Sequence, residues 1–515
     1  MAQRLERPVT TLAIAALWLA AAAAYPASEH SEHSHPPPQK LGTVHFETSC
    51  ASTAQARFDH AMALLHSFAY DFAASEFRAI AASDPDCAMA HWGVAMSGFH
   101  QLWIPPPAAA VLRAGREELS AAQRIGARSA RERELIDAAA VYFSDEDPAH
   151  HAARAQRYEH AMQSAAQHFP RDDEVQIFYA LALIATAAPT DRSHANQKRA
   201  AAILEPIYRR QPDHPGAAHY LIHAYDSTEL APLGLHAARA YAKIAPSAPH
   251  ALHMPSHIFT RLGLWDDSIV SNQAARRAAH EQGDSGEELH AMDYLTYAYL
   301  QRGSQADAAG VVAQLRSMGP LAADEFKVGY AATAMPVRLA IERGRWGDAA
   351  AIEPLQGSPP QVQAIAHWAR ALGHARLGQA DLAAADIAQI EACAAQSRAL
   401  GDGYWATQIG VLSGEARAWR ASAMQQPDKA VALLRTAADA EDALEKLPVT
   451  PGPIVPAREQ LGQLLLEQRQ PAAALRELTL ALKDAPRRRS GLQAAVRAAQ
   501  DAGDPATAAA LRRLL

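Results

Sequence analysis

The sequence predicts an all-α chain built from repeated helical hairpins. Three observations carry that prediction. Of the 515 residues 49% are apolar but only 6% aromatic, and alanine is the commonest side chain, a composition that favours helix over sheet. A short pattern of small, large and proline residues recurs along the chain. The helical stretches that precede it end in short glycine turns, "RLGLW", "ERGRW", "RLGQA" and "QRGSQ".

The recurring pattern runs at intervals of four, three and five residues. It reads Ala73, Phe77, Ile80, Pro85; Ala200, Leu204, Ile207, Pro212; Gly234, Ala238, Tyr241, Pro246; and Ala474, Leu478, Ala481, Pro486. The small residue lets two helices approach, the larger ones fill the groove between them, and the proline ends the second helix. This pattern resembles the tetratricopeptide repeat, a helix–turn–helix unit of about 34 residues. The resemblance runs unevenly from about residue 54 to 515. It is strongest over 54–87, 215–303, 330–350, 364–383 and 455–508. It is weak over 104–170, where "WIPPP" and "SDEDP" interrupt it, and proline-rich breaks fall at "PLQGSPP" and "LPVTPGPIVP". The resemblance implies an α-solenoid, a right-handed superhelix of helical hairpins whose first helices line a concave groove for a peptide or protein partner. It implies no catalytic activity. The segments "AMAHWGVAM" and "HALHMPSHIF" are also similar to stretches of bacterial repeat proteins, a likeness that adds no activity.

The organisation expected along the chain begins with a signal peptide at 1–24. There Arg4 and Arg7 precede an apolar run from Leu12 to Ala24, too short to span a bilayer. A flexible His/Pro-rich tail follows at 25–45. A tetratricopeptide-like solenoid with a histidine-rich groove occupies 46–310, middle repeats 311–447 and C-terminal repeats 448–515. The expected location is the periplasm or the extracellular space, with no membrane span in the mature chain. The net charge of −7, without a basic block, argues against a nucleic-acid partner. Of the three cysteines, Cys50 and Cys87 either pair in an oxidising compartment or lie apart as buried thiols, and Cys393 is expected in the core.

The stretch "PHALHMPSHIFTRLGLW" (249–265) concentrates the chemistry. His250, His253 and His257 fall at i, i+3 and i+7, one face of a helix. They take the second, fifth and ninth places of a first helix, which in tetratricopeptide repeats face the groove. One repeat earlier the same places hold Gly216, His219 and His223. One repeat later they hold His290, Asp293 and Tyr297. Asp226 lies one turn beyond His223. Six of nine groove places are thus histidine, in a chain with only 24 histidines, and the register was set by glycines and prolines alone.

Histidines four apart on a helix can chelate one ion, neutral imidazole suits zinc, copper or iron, and Asp293, Asp226 or His290 is expected to complete the shell or to orient the ligands from behind. Pro255, between His253 and His257, either starts a helix or kinks one. Whether the cluster makes one metal site or two is left open. A second face, with Trp92, Met96 and Phe99 followed by Trp103, is read either as groove lining for an apolar part of a partner or as core covered by "IPPPAAA"; Tyr297 joins the groove. Serine-hydrolase, zincin, Cys-x-x-Cys and phosphate-loop motifs do not occur.

The leading expectation is an exported scaffold that binds a peptide or protein partner in its groove, with a histidine-held metal ion at the centre. The alternatives are a hydrolytic or oxidative metalloenzyme using the same His/Asp cluster, and a metal-free adaptor. An open trough over the histidines would favour the scaffold, and a closed pocket the enzyme.

Overall fold

The computed structural model describes residues 38–102, 107–447 and 449–515. The expected signal peptide, the first part of the expected tail and Trp103 lie outside the described residues. The rest is an all-α, tetratricopeptide-like solenoid of successive helical hairpins, without strands among the described residues. Each helix packs on the next, and first helices also pack on the first helices of adjoining repeats, as Ser285–Arg302 does on Phe326–Glu342. The described residues belong to one compact unit.

The recurring pattern does what its spacing implies. Ala73, Phe77 and Ile80, Ala200, Leu204 and Ile207, Ala238 and Tyr241, and Ala474, Leu478 and Ala481 are all buried between helices. Proline opens the helices Pro215–Ala224, Pro249–His253, Pro255–Leu262, Pro427–Asp442 and Pro471–Asp484, where its missing N–H costs nothing. Gly263, at φ +66°, ends the Pro255–Leu262 helix in the left-handed conformation. A Cβ there would also meet the carbonyl oxygen of Pro486 at 2.8 Å, because the turn before the penultimate helix packs onto this corner.

That contact reflects a general feature: the coil closes on itself. The first described α-helix, Gln55–His66, lies against Pro215–Ala224, and Arg489–Asp501 lies against Ser285–Arg302. Residues 443–447 and 449–456, around the sequence's proline-rich break, return to earlier helices. Glu445 pairs with Arg192 (2.6 Å) and Arg261 (3.0 Å). Arg338 donates to the carbonyls of Gly452 and Pro453 at 3.0 Å each. Farther along, Trp265 Nε1 donates to the Arg487 carbonyl (3.1 Å), and Arg488 pairs with Glu342 and Glu459.

Two expectations need correction. The described end of the tail, 38–45, is packed rather than flexible: Leu41, Val44 and the following Phe46 are core residues, and Thr43 N–H donates to the Asp213 carbonyl at 3.0 Å. Leu41 and Val44 supply enough apolar surface to anchor a stretch that reads as polar overall. Trp92, Met96 and Phe99 do not line a groove; all three are core. Aromatic rings from other elements cover Trp92 and Phe99. Trp92 packs on Phe46 (5.5 Å between centroids) and Phe178 (5.5 Å), and Phe99 stacks on Tyr142 (3.6 Å). The stretch 104–170, weak as a repeat, still forms helices Ala109–Ile125, Ala130–Tyr142 and His151–His168 among its described residues.

Cys50 and Cys87 are joined by a disulfide, which ties the chain just ahead of the first hairpin to the start of the second, and Cys393 is buried. Among the described residues no helix is long and apolar enough to cross a membrane.

The packed N-terminal segment has a direct test. Gly42 sits at φ +81°, and a Cβ there would meet the Asp213 carbonyl oxygen at 2.3 Å. Gly42→Ala should lower unfolding stability by about 1–3 kcal/mol and speed proteolysis between residues 38 and 50. Unchanged stability and cleavage would mean that this segment is not seated.

Candidate metal centre

The six histidines of the register all turn inward. His219 and His253 are fully buried, and His223, His250, His257 and His290 nearly so. Their donor atoms fall into two sets of three, His219/His223/His250 and His253/His257/His290, each set lying within 4.8 Å of one another. Pro255 breaks Pro249–His253 from Pro255–Leu262 but does not splay the rings: His257 N–H closes a tighter turn onto the Met254 carbonyl, and His253 and His257 still meet.

The protons on the second pair can be assigned from its neighbours. Asn272 donates its amide to the Ser268 carbonyl at 2.8 Å, so its Oδ1 is an acceptor, and His253 Nδ1–H donates to it at 2.6 Å. His257 Nδ1–H donates to Asp226 Oδ2 at 2.9 Å. Both rings thus carry their proton on Nδ1 and aim a bare Nε2 lone pair at the other, 3.1 Å apart. Burial holds His253 well below its usual pKa, with His290 and His257 adding to the effect; burial also lowers His257, although Asp226 pulls the other way. With both rings neutral and their protons on Nδ1, this contact is not a hydrogen bond. Two lone pairs at that distance repel. An ion between them removes the repulsion, and two imidazole nitrogens on one tetrahedral ion stand about 3.3 Å apart.

The first pair has the same spacing, with the proton fixed on one ring only, that of His219. His219 Nδ1–H donates to the backbone carbonyl of His66 at 2.7 Å, leaving its Nε2 facing His223 Nε2 at 3.1 Å. His250 turns Nδ1 to Glu287 Oε2 at 3.4 Å. Phe68 packs against His219, His223 and His250, with centroids 4.4, 5.9 and 5.2 Å away. Tyr294 packs against His253, His257 and His290 at 4.6, 5.2 and 5.4 Å. Each triad thus has one aromatic wall.

The carboxylates act behind the rings. Burial pushes the Asp226 carboxyl up, but Lys446 (3.2 Å) and Arg261 (2.9 Å) hold it well below the usual range, so it stays an anion that orients His257. Glu287 is likewise held down, against burial, by Lys327 at 2.7 Å. Such partners fix which ring nitrogen faces a metal. Asp293 is not brought to either triad: its Oδ1 accepts from Arg338 Nε at 3.1 Å in a buried ion pair. Tyr297 is also away from the triads. It packs edge-on to Trp265 (5.7 Å) and borders a cavity of about 120 Å³ beside Gly452 and Pro453.

Several residues that matter here carry no sequence signal. His66 reads as a scattered packing histidine, yet its carbonyl orients His219, and its ring joins a buried network. His66 Nε2–H and His214 Nε2–H each donate to Glu174 at 2.9 Å, while His66 Nδ1 accepts from Tyr220 (3.0 Å) and His214 Nδ1 from the Ala217 N–H (3.2 Å). Every nitrogen of that network is satisfied by hydrogen bonds, which sets it apart from the facing lone pairs of His253 and His257. Lys446, Asn272 and Glu287 are equally silent, because only the folded chain brings them to the rings. A cavity of about 130 Å³ reaches His223 and Asp226 beneath Lys446 and Leu447.

No protein-family model matches the chain, and no curated protein is significantly similar to it. Among solved structures it is similar to the human IFIT1 dimer with m7Gppp-AAAA, at 12% identity and a TM-score of 0.36 over 81% of this chain and 90% of that one. It is similar to Naa15/Naa10 bound to HypK-THB, at 13% and 0.24 over 90% and 68%. It is also similar to the TPR domain of P58(IPK), at 11% and 0.23 over 88% and 99%. These likenesses say nothing about a ligand.

The buried rings set a pH dependence for the metal-free protein. In the unfolded chain histidine titrates near 6.5, whereas burial first and neighbouring rings second hold His219, His223 and His253 well below that; burial likewise lowers His257 and His290. Below about pH 6.5 the unfolded chain therefore binds more protons than the folded one. The stability these neutral rings confer is complete above that pH and lost as the pH falls, by about 1.4 kcal/mol for each unit a ring is depressed. The denaturant midpoint of metal-free protein should be lower at about pH 5.5 than at about pH 7.5. A midpoint that rises on acidification would contradict neutral, buried rings.

Proposed function

We propose that the chain is a metalloprotein whose histidine cluster holds a transition-metal ion inside a helical-repeat scaffold. One observation carries this reading: the bare Nε2 lone pairs of His253 and His257, 3.1 Å apart, with both Nδ1 protons already committed to Asn272 and Asp226. Donor chemistry restricts the ion. The proposed ligands are neutral imidazoles, which suit zinc, copper or iron and give magnesium and calcium no oxygen shell.

The enclosure of the site bears on what the ion does. An ion presented to a protein partner needs an open trough, but Lys446 reaches across to Asp226 and the rings are covered. The closed arrangement favours the metalloenzyme reading over the presenting scaffold. In it the ion acts on a small molecule that enters by the cavity at His223, with the chemistry hydrolytic or oxidative according to the metal. Three neutral ligands leave coordination positions open for water or substrate. Export to an oxidising compartment is part of the proposal, supported by the charged-then-apolar N-terminus and the Cys50–Cys87 disulfide.

Elemental analysis of protein purified without a histidine tag tests this reading. Stoichiometric zinc, copper or iron is expected, either as isolated or after addition. His253→Ala should lower the bound metal while helical content by circular dichroism stays within a few per cent. Asp226→Asn, which weakens the group orienting His257, should reduce affinity about 10–100-fold. Protein that carries no such metal and takes none up would overturn the proposal.

A further inference from the structure

The metal site is itself a repeated unit. In the register of the first helices, His219 and His223 hold the fifth and ninth places of one repeat and His250 the second place of the next. His253 and His257 hold the fifth and ninth places of that next repeat, and His290 the second place of the one after. The structure realises this rule twice, as two triads of the same make-up: a facing pair at 3.1 Å completed by one ring from the following first helix. Each triad has its own aromatic wall, Phe68 for one and Tyr294 for the other. Each also has its own orienting acceptors, the His66 carbonyl and Glu287 for the first, Asn272 and Asp226 for the second. The next step of the rule fails because Asp293 and Tyr297 occupy the fifth and ninth places, and Asp293 is consumed by Arg338.

We infer that the chain holds two metal ions, one in each of two neighbouring inter-repeat seams, and that the pair binds a small anion delivered through the cavity at His223. The inference rests on the metal-binding reading above and adds number, arrangement and ligand class to it. The seams are in contact: His223 and His257 stand 5.9 Å apart between centroids, and His250 and His253 stand 6.2 Å apart. The anion follows from charge. The proposed ligands are neutral, and the carboxylates nearest them are already balanced, Asp226 by Arg261 and Lys446 and Glu287 by Lys327. Two cations added there keep a positive charge that no side chain in these pairs neutralises, so an exogenous anion completes the shells. The cavity, about 130 Å³, admits a molecule of a few heavy atoms and reaches one ligand directly, His223.

Cobalt(II) is a suitable probe, because its visible absorption reports its coordination. The full chain, without a histidine tag, is stripped with a chelator and titrated. Absorbance should saturate at two equivalents, with elemental analysis in agreement. His219→Ala and His290→Ala should each saturate at one equivalent with helical content unchanged; should His219→Ala lose its fold, His223→Gln tests the same seam at the least buried of the six rings. Azide added to the doubly loaded protein should shift the spectrum and saturate. Saturation at one equivalent, insensitive to His219→Ala, would overturn the pair and leave a metal at His253, His257 and His290. Loss of both ions from either variant would overturn the independence of the seams. No spectral response to azide would overturn the anion site. No cobalt, zinc or copper bound at all would overturn both this inference and the reading it rests on.

Discussion

A buried imidazole presents two ring nitrogens, and in a dry interior both must meet something. One is settled here by a backbone carbonyl, an amide or a carboxylate. The other, in the His253–His257 pair, meets only a second nitrogen like itself. Burying a polar atom without a partner costs on the order of 1–3 kcal/mol, and burying two that repel costs more. The protein nonetheless encloses this pair, and under the metal-binding proposal an ion between the two nitrogens is what makes the arrangement favourable. The network at His66, Glu174 and His214 provides the internal contrast. It lies close by and is just as buried, yet each donor there has its acceptor.

The solenoid supplies this geometry through two devices. Stacked hairpins place equivalent positions of successive first helices side by side, so a rule obeyed by three repeats becomes a cluster in space. Closure of the coil then removes the cluster from water. Gln55–His66 comes against Pro215–Ala224 and brings Phe68 and the His66 carbonyl to the first triad. From the other end, residues 443–447 bring Lys446 and Glu445 to Asp226 and Arg261. Neither device works alone: an open solenoid would leave the rings wet, where each nitrogen finds water and no ion is required.

How much of this was legible follows the range of the contacts. The hairpin fold reads directly from the spacing of Ala73, Phe77, Ile80 and Pro85 and its recurrences, because helix packing within a repeat is local. The six inward histidines are legible for the same reason, since the turn glycines and helix-ending prolines fix the register before any histidine is considered. Asp293 misled because its place in the register is right; the buried Arg338 that claims it comes from the following repeat, and a spacing argument has no view of which partner wins. Trp92, Met96 and Phe99 misled in the opposite way. Their face is apolar as read, but Phe46, Tyr142 and Phe178 cover it from other elements. The strap near Lys446 was visible only as a proline-rich interruption. Its return to Asp226 is a contact over 220 residues, beyond any local pattern.

The most direct measurement is X-ray absorption at the metal edge of the loaded, untagged protein. The account predicts a first shell dominated by nitrogen at about 2.0–2.1 Å, with the outer-shell scattering of several imidazole rings and no sulfur. A shell of carboxylate or water oxygens with fewer than two imidazoles per ion, or a sulfur shell, would contradict the claim that these facing ring nitrogens hold the ion.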